Sequence, residues 1–173
     1  REGAILNGAL ELIERDAFMI TWLNQLSPSR LRIEEIIESH PPLSKIFKDC
    51  ERYRIKLHIC TLMTDAPTHA LCVVAEDGTQ NAPLFSIGLK AHPNLFKAIE
   101  GALLEALRAR RNARTRMSLP SVEEIRVKKI HELHHSDRAI YWSEPKNAEK
   151  LRFLIDGSLI ELSKEDCDTD SVE

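Results

Sequence analysis

The chain has 173 residues, of which 43% are hydrophobic and 29% are charged, and its formal net charge at pH 7 is −3. This length and composition predict a single domain, or a large piece of one, with a hydrophobic core. The negative charge argues against a nucleic-acid-binding protein, which would be expected to carry a basic surface. No apolar run approaches the roughly 18 residues of a membrane span, so no membrane association is expected.

The cysteines and the two ends of the chain suggest its environment. Cys50, Cys60, Cys72 and Cys167 have no CxxC spacing, and most of them lie in apolar runs. With no visible signal peptide, reduced thiols and a cytoplasmic location are expected. The sequence opens at Arg1 without a methionine and closes with the acidic stretch KEDCDTDSVE. We therefore expect residues 1–163 to be part of a larger domain and residues 164–173 to be an acidic tail or the edge of a longer chain.

The N-terminal third is predicted to be helical. Residues 3–26 have the pattern of one long helix that ends near Pro28. Short helical patterns follow at 32–39 and 42–54, and they are separated by two prolines, which cannot continue a helix. Asn7, Glu11 and Glu14 share one face of the first helix.

The middle of the chain is predicted to form a sheet. Strand-like runs at 55–63, 69–76 and 83–91 are joined by short segments rich in turn-forming residues, which favours an antiparallel meander. A long helix is then expected over 94–114, with Asn94 as its N-cap.

Two more helices are predicted towards the end of the chain. One covers 121–136 with Ser121 as its cap, and a short one covers 145–155 and begins with Pro145. The order of helices, meander and helices predicts an α+β fold. Its long helices are expected to pack on one face of a three-stranded antiparallel sheet.

The first helix carries the most informative polar pattern. Asn7, Glu11 and Glu14 are spaced i, i+4 and i+7, so one amide and two carboxylates share a face. Apolar residues surround this stripe on nearly every side, which predicts a buried helix. Buried carboxylates must be paired or bound to a metal, so a divalent-metal or nucleotide-phosphate site is one interpretation. A solvent-exposed polar edge with an i, i+4 ion pair is the alternative.

The helix over 94–114 contains a second polar pattern. Glu105 shares a face with small residues at positions 98, 101 and 102, which would let a backbone or a ligand approach closely. Arg108, Arg110 and Arg111 follow within two turns and could meet phosphate oxygens. The alternative is that Glu105 and Arg108 form a surface pair and the arginines are simply solvated.

Three segments together resemble one protein family. NGALELIERDAFMITW resembles the N-x-x-x-E-x-x-E-R-D-A segment of the YcaO family. GALLEALRARR is similar to that family's A-L-x-E-x-x-Q-x-R helix, and RAIYWSEPKNAEKLRFL is similar to a later region with a proline-initiated helix. The segments occur in the family's order and span nearly the whole chain. The first is the most specific of the three.

The resemblance implies an activity and its cofactors. YcaO proteins use ATP to phosphorylate a peptide-bond oxygen, so that a nucleophile can replace it and form an azoline, thioamide or amidine. By this match the cofactors are ATP and Mg²⁺, and Glu11, Glu14 and Glu105 hold the metal. The resemblance also implies three nucleotide ligands, which are Asn7, Arg15 and Arg110. Arg108 is added as a fourth because of its position on the same helix. No catalytic residue is assigned.

The resemblance also implies partners. A peptide or protein would be the substrate, a separate protein could assist its recognition, and a homodimer is possible. A non-catalytic YcaO-like scaffold that binds a peptide or a partner is the alternative function.

The sequence departs from the family pattern at two points. The glutamine that follows the later glutamate in the family is Arg108 here, so its role is not carried over. The family's earlier S-x-x-x-E-x-x-E-R motif does not occur in these residues. We therefore expect the chain to cover a central part of the domain and to bind ATP weakly or not at all by itself.

Two other clusters invite a functional interpretation. His131, His134 and His135 lie in HELHH, which lacks the HExxH order of a zinc helix, so a solvated helix end is favoured over a metal site. The arginines between Arg108 and Arg116 are more typical of a phosphate-facing or solvated helix end than of a nucleic-acid site.

Overall fold

One mixed sheet forms the centre of the structure, a computed structural model that describes residues 2–32, 34, 37, 40–120 and 122–161. Its five strands lie in the spatial order β4-β3-β2-β1-β5. They are β1 (Arg30–Arg32), β2 (Ile55–Thr61), β3 (His69–Asp77), β4 (Phe85–His92) and β5 (Leu159–Glu161).

The described helices pack around this sheet, and the α+β class is confirmed. Three 3₁₀ segments, at Ile130–Glu132, His135–Asp137 and Glu149–Ile155, lie in the C-terminal third. The α-helices are α1 (Glu2–Leu23), α2 (Pro41–Arg52), α3 (Leu95–Met117), α4 (Val122–Val127), α5 (Arg138–Ser143) and α6 (Pro145–Ala148).

The predicted meander is confirmed, but the sheet is larger than expected. β2, β3 and β4 pair antiparallel in sequence order, with Cys60 opposite Cys72 and Val74 opposite Ile87. β1 and β5 were missed. Each has only three residues, and they pair in parallel with one another across a long stretch of sequence. Runs this short carry no readable periodicity, so only the tertiary structure reveals them.

Helices cover both faces of the sheet, so the prediction of helices on one face was wrong. Val74 belongs to a cluster that includes residues of α1 and of the segment Glu149–Ile155. Val73, its neighbour on β3, belongs to a second cluster formed with α2 and α3. Every residue of β3 after His69 is buried. A continuous apolar run is typical of a strand covered on both sides, and HALCVVAE has that character.

The prediction that α1 is buried on nearly every side was also wrong. Only Leu10, Ala17 and Thr21 are buried on this helix. It packs along one side against the sheet, and its other large apolar side chains face outward: Ile5, Leu6, Leu12, Met19, Ile20 and Leu23.

The remaining helix predictions had mixed outcomes. α3 begins where expected, and the N–H of Lys97 donates to the side-chain oxygen of Asn94 at 2.9 Å. The helix predicted over 121–136 ends at Val127, and the one predicted over 145–155 is α-helical only to Ala148 before it tightens into a 3₁₀ segment. Ser121, most of 32–39 and all of 164–173 lie outside the described residues.

Two further expectations concern thiols and membranes. Cys50, Cys60 and Cys72 are free and buried, and Cys167 lies outside the described residues. Within the described chain, no helix combines the length and apolar character that a membrane crossing requires.

α3 lies directly on β4 at Gly88. A Cβ atom placed on this glycine would lie 2.1 Å from the carbonyl oxygen of Ala102 and 2.3 Å from the backbone nitrogen of Ala106. Since both are backbone atoms, neither can move aside without displacing the helix. Only glycine therefore permits this contact, which holds Glu105 next to the strand.

We expect Gly88→Ala to destabilise the fold by at least about 3 kcal/mol, the upper part of the range for overpacked sites. Gly8→Ala is the matched control, because a Cβ at Gly8 meets nothing within 4 Å. That change in a helix interior should stabilise the chain by roughly 0.5–1 kcal/mol. Urea unfolding measures both. An unchanged midpoint for Gly88→Ala would show that the contact is looser than described.

Candidate functional site

Two carboxylates meet at the outer edge of β4. This strand is at the edge of the sheet, so alternate backbone N–H groups face away from β3. The N–H of Leu89 donates to Oε2 of Glu105 at 2.9 Å, and the N–H of Ala91 donates to the Glu14 carboxylate. Glu105 comes from α3 and Glu14 from α1, and these helices lie on opposite faces of the sheet. The edge strand thus brings together two acids that are far apart in sequence.

The electrostatics of this pair favour a cation. Burial raises the pKa of Glu14, and the negative charge of Glu105 raises that pKa further. The N–H of Ala91 and the charge of Lys90 act in the opposite direction, but the pKa of Glu14 remains above its ordinary value. Repulsion between the two acids is therefore only partly compensated within the chain. A divalent cation would relieve it.

The small residues beside Glu105 serve the packing of the strand. A Cβ on Gly101 would lie 2.7 Å from Cγ of Lys90, so the glycine gives room to the lysine stem. Ala98 and Ala102 are fully buried under the sheet. The small residues were predicted to let a backbone or a ligand approach this helix face, and the backbone that does so is that of β4.

Glu11 and Arg15 form the exposed pair that the sequence left open as an alternative. Nη2 and Nε of Arg15 donate to Oε1 of Glu11 at 2.8 and 3.1 Å. The side chain of Glu11 is 58% exposed and that of Arg15 is 69% exposed. The hydrogen bond to Glu11 raises the pKa of Arg15, and the charges of Glu11, Glu14 and Glu105 add to that effect. Arg15 therefore lies within electrostatic reach of both edge carboxylates. Asn7 is exposed one turn earlier.

The two arginines predicted on α3 occupy different environments. Arg108 is exposed and has no ion-pair partner among the described residues. Arg110 is only 5% exposed; it donates to the carbonyl oxygen of Pro83 at 2.7 Å and to the Asp77 carboxylate. Arg110 thus braces the turn between β3 and β4. Its Nη1 and Nη2 groups are engaged there, and its predicted role as a nucleotide ligand stays a prediction.

The residues at the β4 edge fit magnesium in one particular way. Across the described ranges, no group of three or more His, Cys, Asp or Glu side chains is arranged to hold a metal ion. The histidines near His131 therefore do not form such a group. Mg²⁺, however, is commonly held by one or two carboxylates together with the phosphates of a nucleotide. Glu14 and Glu105 match that donor set, with Glu11 nearby but engaged with Arg15.

Sequence reasoning missed the contribution of the strand. The N–H groups of Leu89 and Ala91 hold the two carboxylates, and Lys90 lies between them in sequence. The segment PLFSIGLKA predicts a strand but contains no sign that the strand forms the edge of the sheet. Gly88 was the one available signal, because glycine inside a strand pattern marks a close backbone approach.

Comparison with known families and structures gives the context of this site. A family model described as YcaO cyclodehydratase, ATP- and Mg²⁺-binding, matches residues 1–172. No curated protein sequence matches the chain.

Solved structures share the fold. A YcaO from Methanopyrus kandleri bound with AMPPCP and Mg²⁺ superposes with a TM-score of 0.65 and 19% identity, over 100% of this chain and 39% of that chain. The E. coli microcin synthetase McbBCD complex with pro-MccB17 bound gives a TM-score of 0.66 and 15% identity, over 98% and 43%. A heterocyclase in complex with substrate and cofactor gives a TM-score of 0.65 and 21% identity, over 94% of this chain and 20% of that chain. The chain therefore spans less than half of each of these relatives.

We expect Glu105→Gln to lower the pKa of Glu14, because the substitution removes the repelling charge and keeps an oxygen for the N–H of Leu89. Burial, the larger cause of the shift, still acts to raise the pKa of Glu14 in this variant. When the pKa of an acid is higher in the folded state than in the unfolded state, the free energy of unfolding falls as the pH rises through the folded-state pKa. Glu105→Gln should therefore also increase stability near neutral pH.

Carboxyl-carbon NMR titration measures the pKa of Glu14, and urea unfolding measures the stability. Glu100→Gln is the matched control, because Glu100 is an exposed acid on the same helix and is not among the charges that shift Glu14. If Glu14 titrates identically in wild type and in Glu105→Gln, the two acids do not interact.

Proposed function

Because the chain belongs to the YcaO family, we propose that it forms one wall of a site where ATP and Mg²⁺ activate a peptide amide. The pair of Glu14 and Glu105 at the β4 edge is the observation that carries this proposal. These acids come from the two motifs that the family resemblance singled out, and they meet although their helices lie on opposite faces of the sheet.

The proposed roles follow the chemistry of each side chain. Glu14 and Glu105 are metal ligands, each oriented by a strand N–H group. Glu11 is a third metal ligand once it releases Arg15, which is then free to meet phosphate oxygens. Arg108 also faces phosphate, and Asn7 supports the metal or the phosphate from the preceding turn.

The proposed reaction activates an amide oxygen. Transfer of the terminal phosphoryl group of ATP to that oxygen gives ADP and converts the oxygen into part of a leaving group. A Cys, Ser or Thr side chain, or an external sulfur or nitrogen nucleophile, then attacks the former carbonyl carbon. Phosphate departs with the oxygen, and an azoline, thioamide or amidine remains. Bound Mg²⁺ neutralises phosphate charge during the transfer.

The proposal gives this chain only part of the site. The family's S-x-x-x-E-x-x-E-R motif does not occur in these 173 residues, and we propose that such a motif supplies further ligands in the working enzyme. A peptide is the proposed substrate. A partner protein that assists recognition and a homodimer also belong to the proposal.

One observation favours a second candidate function. Glu11 is engaged with Arg15 at an exposed position, and Asn7 is exposed beside them. A stripe in this state is also what a non-catalytic YcaO-like scaffold would retain. Such a scaffold would bind a peptide or a partner protein without turning over ATP.

Paramagnetic Mn²⁺ distinguishes the enzyme from the scaffold, because it replaces Mg²⁺ and broadens nearby NMR signals even at low occupancy. With Mn²⁺ and a non-hydrolysable ATP analogue, we expect selective broadening of the backbone amides of Leu89 and Ala91. Combining Glu14→Gln with Glu105→Gln should remove it by weakening metal binding about 100-fold or more. Glu100→Gln, the matched control, should leave it unchanged.

Broadening that survives the double substitution would refute the assignment of Glu14 and Glu105. If neither Mn²⁺ nor the nucleotide affects this edge, including in a longer chain that contains the missing acidic motif, the scaffold is the correct function.

A further inference from the structure

An apolar groove of about 500 Å³ lies beside the outer edge of β4. Phe18 and Trp22 of α1, Ala109 of α3 and Trp142 of α5 are among the residues that line it. Glu105 also lines the groove, so the groove is continuous with the pair of carboxylates described above. A concave apolar surface of this kind, with few polar groups, is typical of a binding site.

Backbone hydrogen-bonding groups face this groove. The outward N–H of Leu89 fixes the alternation along β4, so the N–H groups of Phe85 and Ile87 point away from β3 as well. Both residues line the groove. In the part of the chain that the structure describes, no other strand pairs with this edge. An open edge beside an apolar groove is a template for one more strand.

We infer that this groove binds an extended segment of the peptide substrate as an added strand beside Phe85–Ile87. The inference rests on the proposed function, which supplies the peptide. An extended chain offers alternating N–H and C=O groups that match those of the edge. In a helix, these groups are already hydrogen-bonded to one another. The apolar walls accept the side chains that point into the groove, so specificity is for apolar residues at alternate positions.

The same geometry leads the peptide to the carboxylates. At Leu89 the outward N–H is taken by Glu105, so pairing with the added strand ends there. The next residues of the peptide leave the edge beside Glu14 and Glu105. Leu89 lies two residues beyond Ile87, about 7 Å along the strand. The groove therefore presents a following peptide bond to the proposed metal site.

The groove contains its own reporter. Trp22 and Trp142 are the only two tryptophans of the chain, and both line the groove with their rings edge to face, 5.5 Å between centroids. Intrinsic fluorescence therefore responds to an occupant without a label. The probe is an acetylated and amidated heptapeptide of alternating Val and Thr, titrated without ATP or metal.

Three forms of the probe test strand pairing. One is unmodified, and the other two carry N-methyl groups on alternate amides, at odd or at even positions. Only alternate amides of an added strand face β4. One methylated form should therefore bind at least about tenfold more weakly, which is the effect of losing about 1.4 kcal/mol of hydrogen bonding. The other should bind within about twofold of the unmodified peptide.

A variant of the protein provides an independent test. Ile87→Pro removes the outward N–H without removing a bond to β3, and proline is tolerated at an edge strand. Binding of the unmodified probe should fall about tenfold, while Ile87→Val should bind as wild type does. The methylated probes keep the test valid if Ile87→Pro does not fold.

Equal binding of all three probes, equal weakening of both methylated ones, or unchanged binding by a folded Ile87→Pro would each overturn the inference. Absence of any fluorescence response to the unmodified probe would overturn it too. Peptide binding that persists where Mn²⁺ has no effect on Leu89 and Ala91 would refute the cofactor assignment alone.

Discussion

The contact between α3 and β4 at Gly88 positions the carboxylate of Glu105 at the edge of the sheet. Because the glycine has no side chain, the helix backbone reaches the strand, and Glu105 can extend around the edge to the N–H of Leu89. A side chain at that position would push α3 outward and withdraw the carboxylate. The same contact sets the position of Ala109, and with it one wall of the groove. A packing requirement in the sheet thus determines the geometry of both the carboxylate pair and the groove.

The edge of β4 explains why one acid of the first helix differs from the other. Glu14 reaches the N–H of Ala91, which partly offsets the cost of burying its charge beside Glu105. Glu11, one turn earlier, has no strand beneath it and pairs with Arg15 in solvent. An exposed pair of this kind contributes little to stability, so Glu11 is easily transferred to a better partner. A metal with bound phosphates would compete for Glu11 at little cost.

Features that are encoded by local sequence patterns could be predicted from the sequence. Features that depend on contacts between distant segments could not. The meander and the N-cap at Asn94 were predictable, because alternation and capping are written within a few residues. The two-sided burial of β3 was not inferred, although its unbroken apolar run indicates it.

For the site, helical spacing selected Asn7, Glu11 and Glu14 together, but it cannot tell which of the three meets a strand. Spacing also could not show that Arg110 is buried against Asp77 while Arg108 is exposed. That difference depends on the turn between β3 and β4. Glu105 was singled out by its place on a helix face with small residues, and the family motif then assigned it to the metal. The physical reason for its position became visible only with the edge strand.

The groove includes part of the exposed apolar side of α1. Met19 and Leu23 line the groove, whereas the other large exposed apolar side chains of this helix do not. Glu14 and Trp22 are eight residues apart, or about 12 Å along the helix axis. An extended peptide covers that distance with three to four residues, at roughly 3.4 Å each. One helix therefore sets both the apolar wall and a carboxylate of the proposed metal site. The spacing between them would fix how far the reacting amide lies from the residues that anchor the peptide.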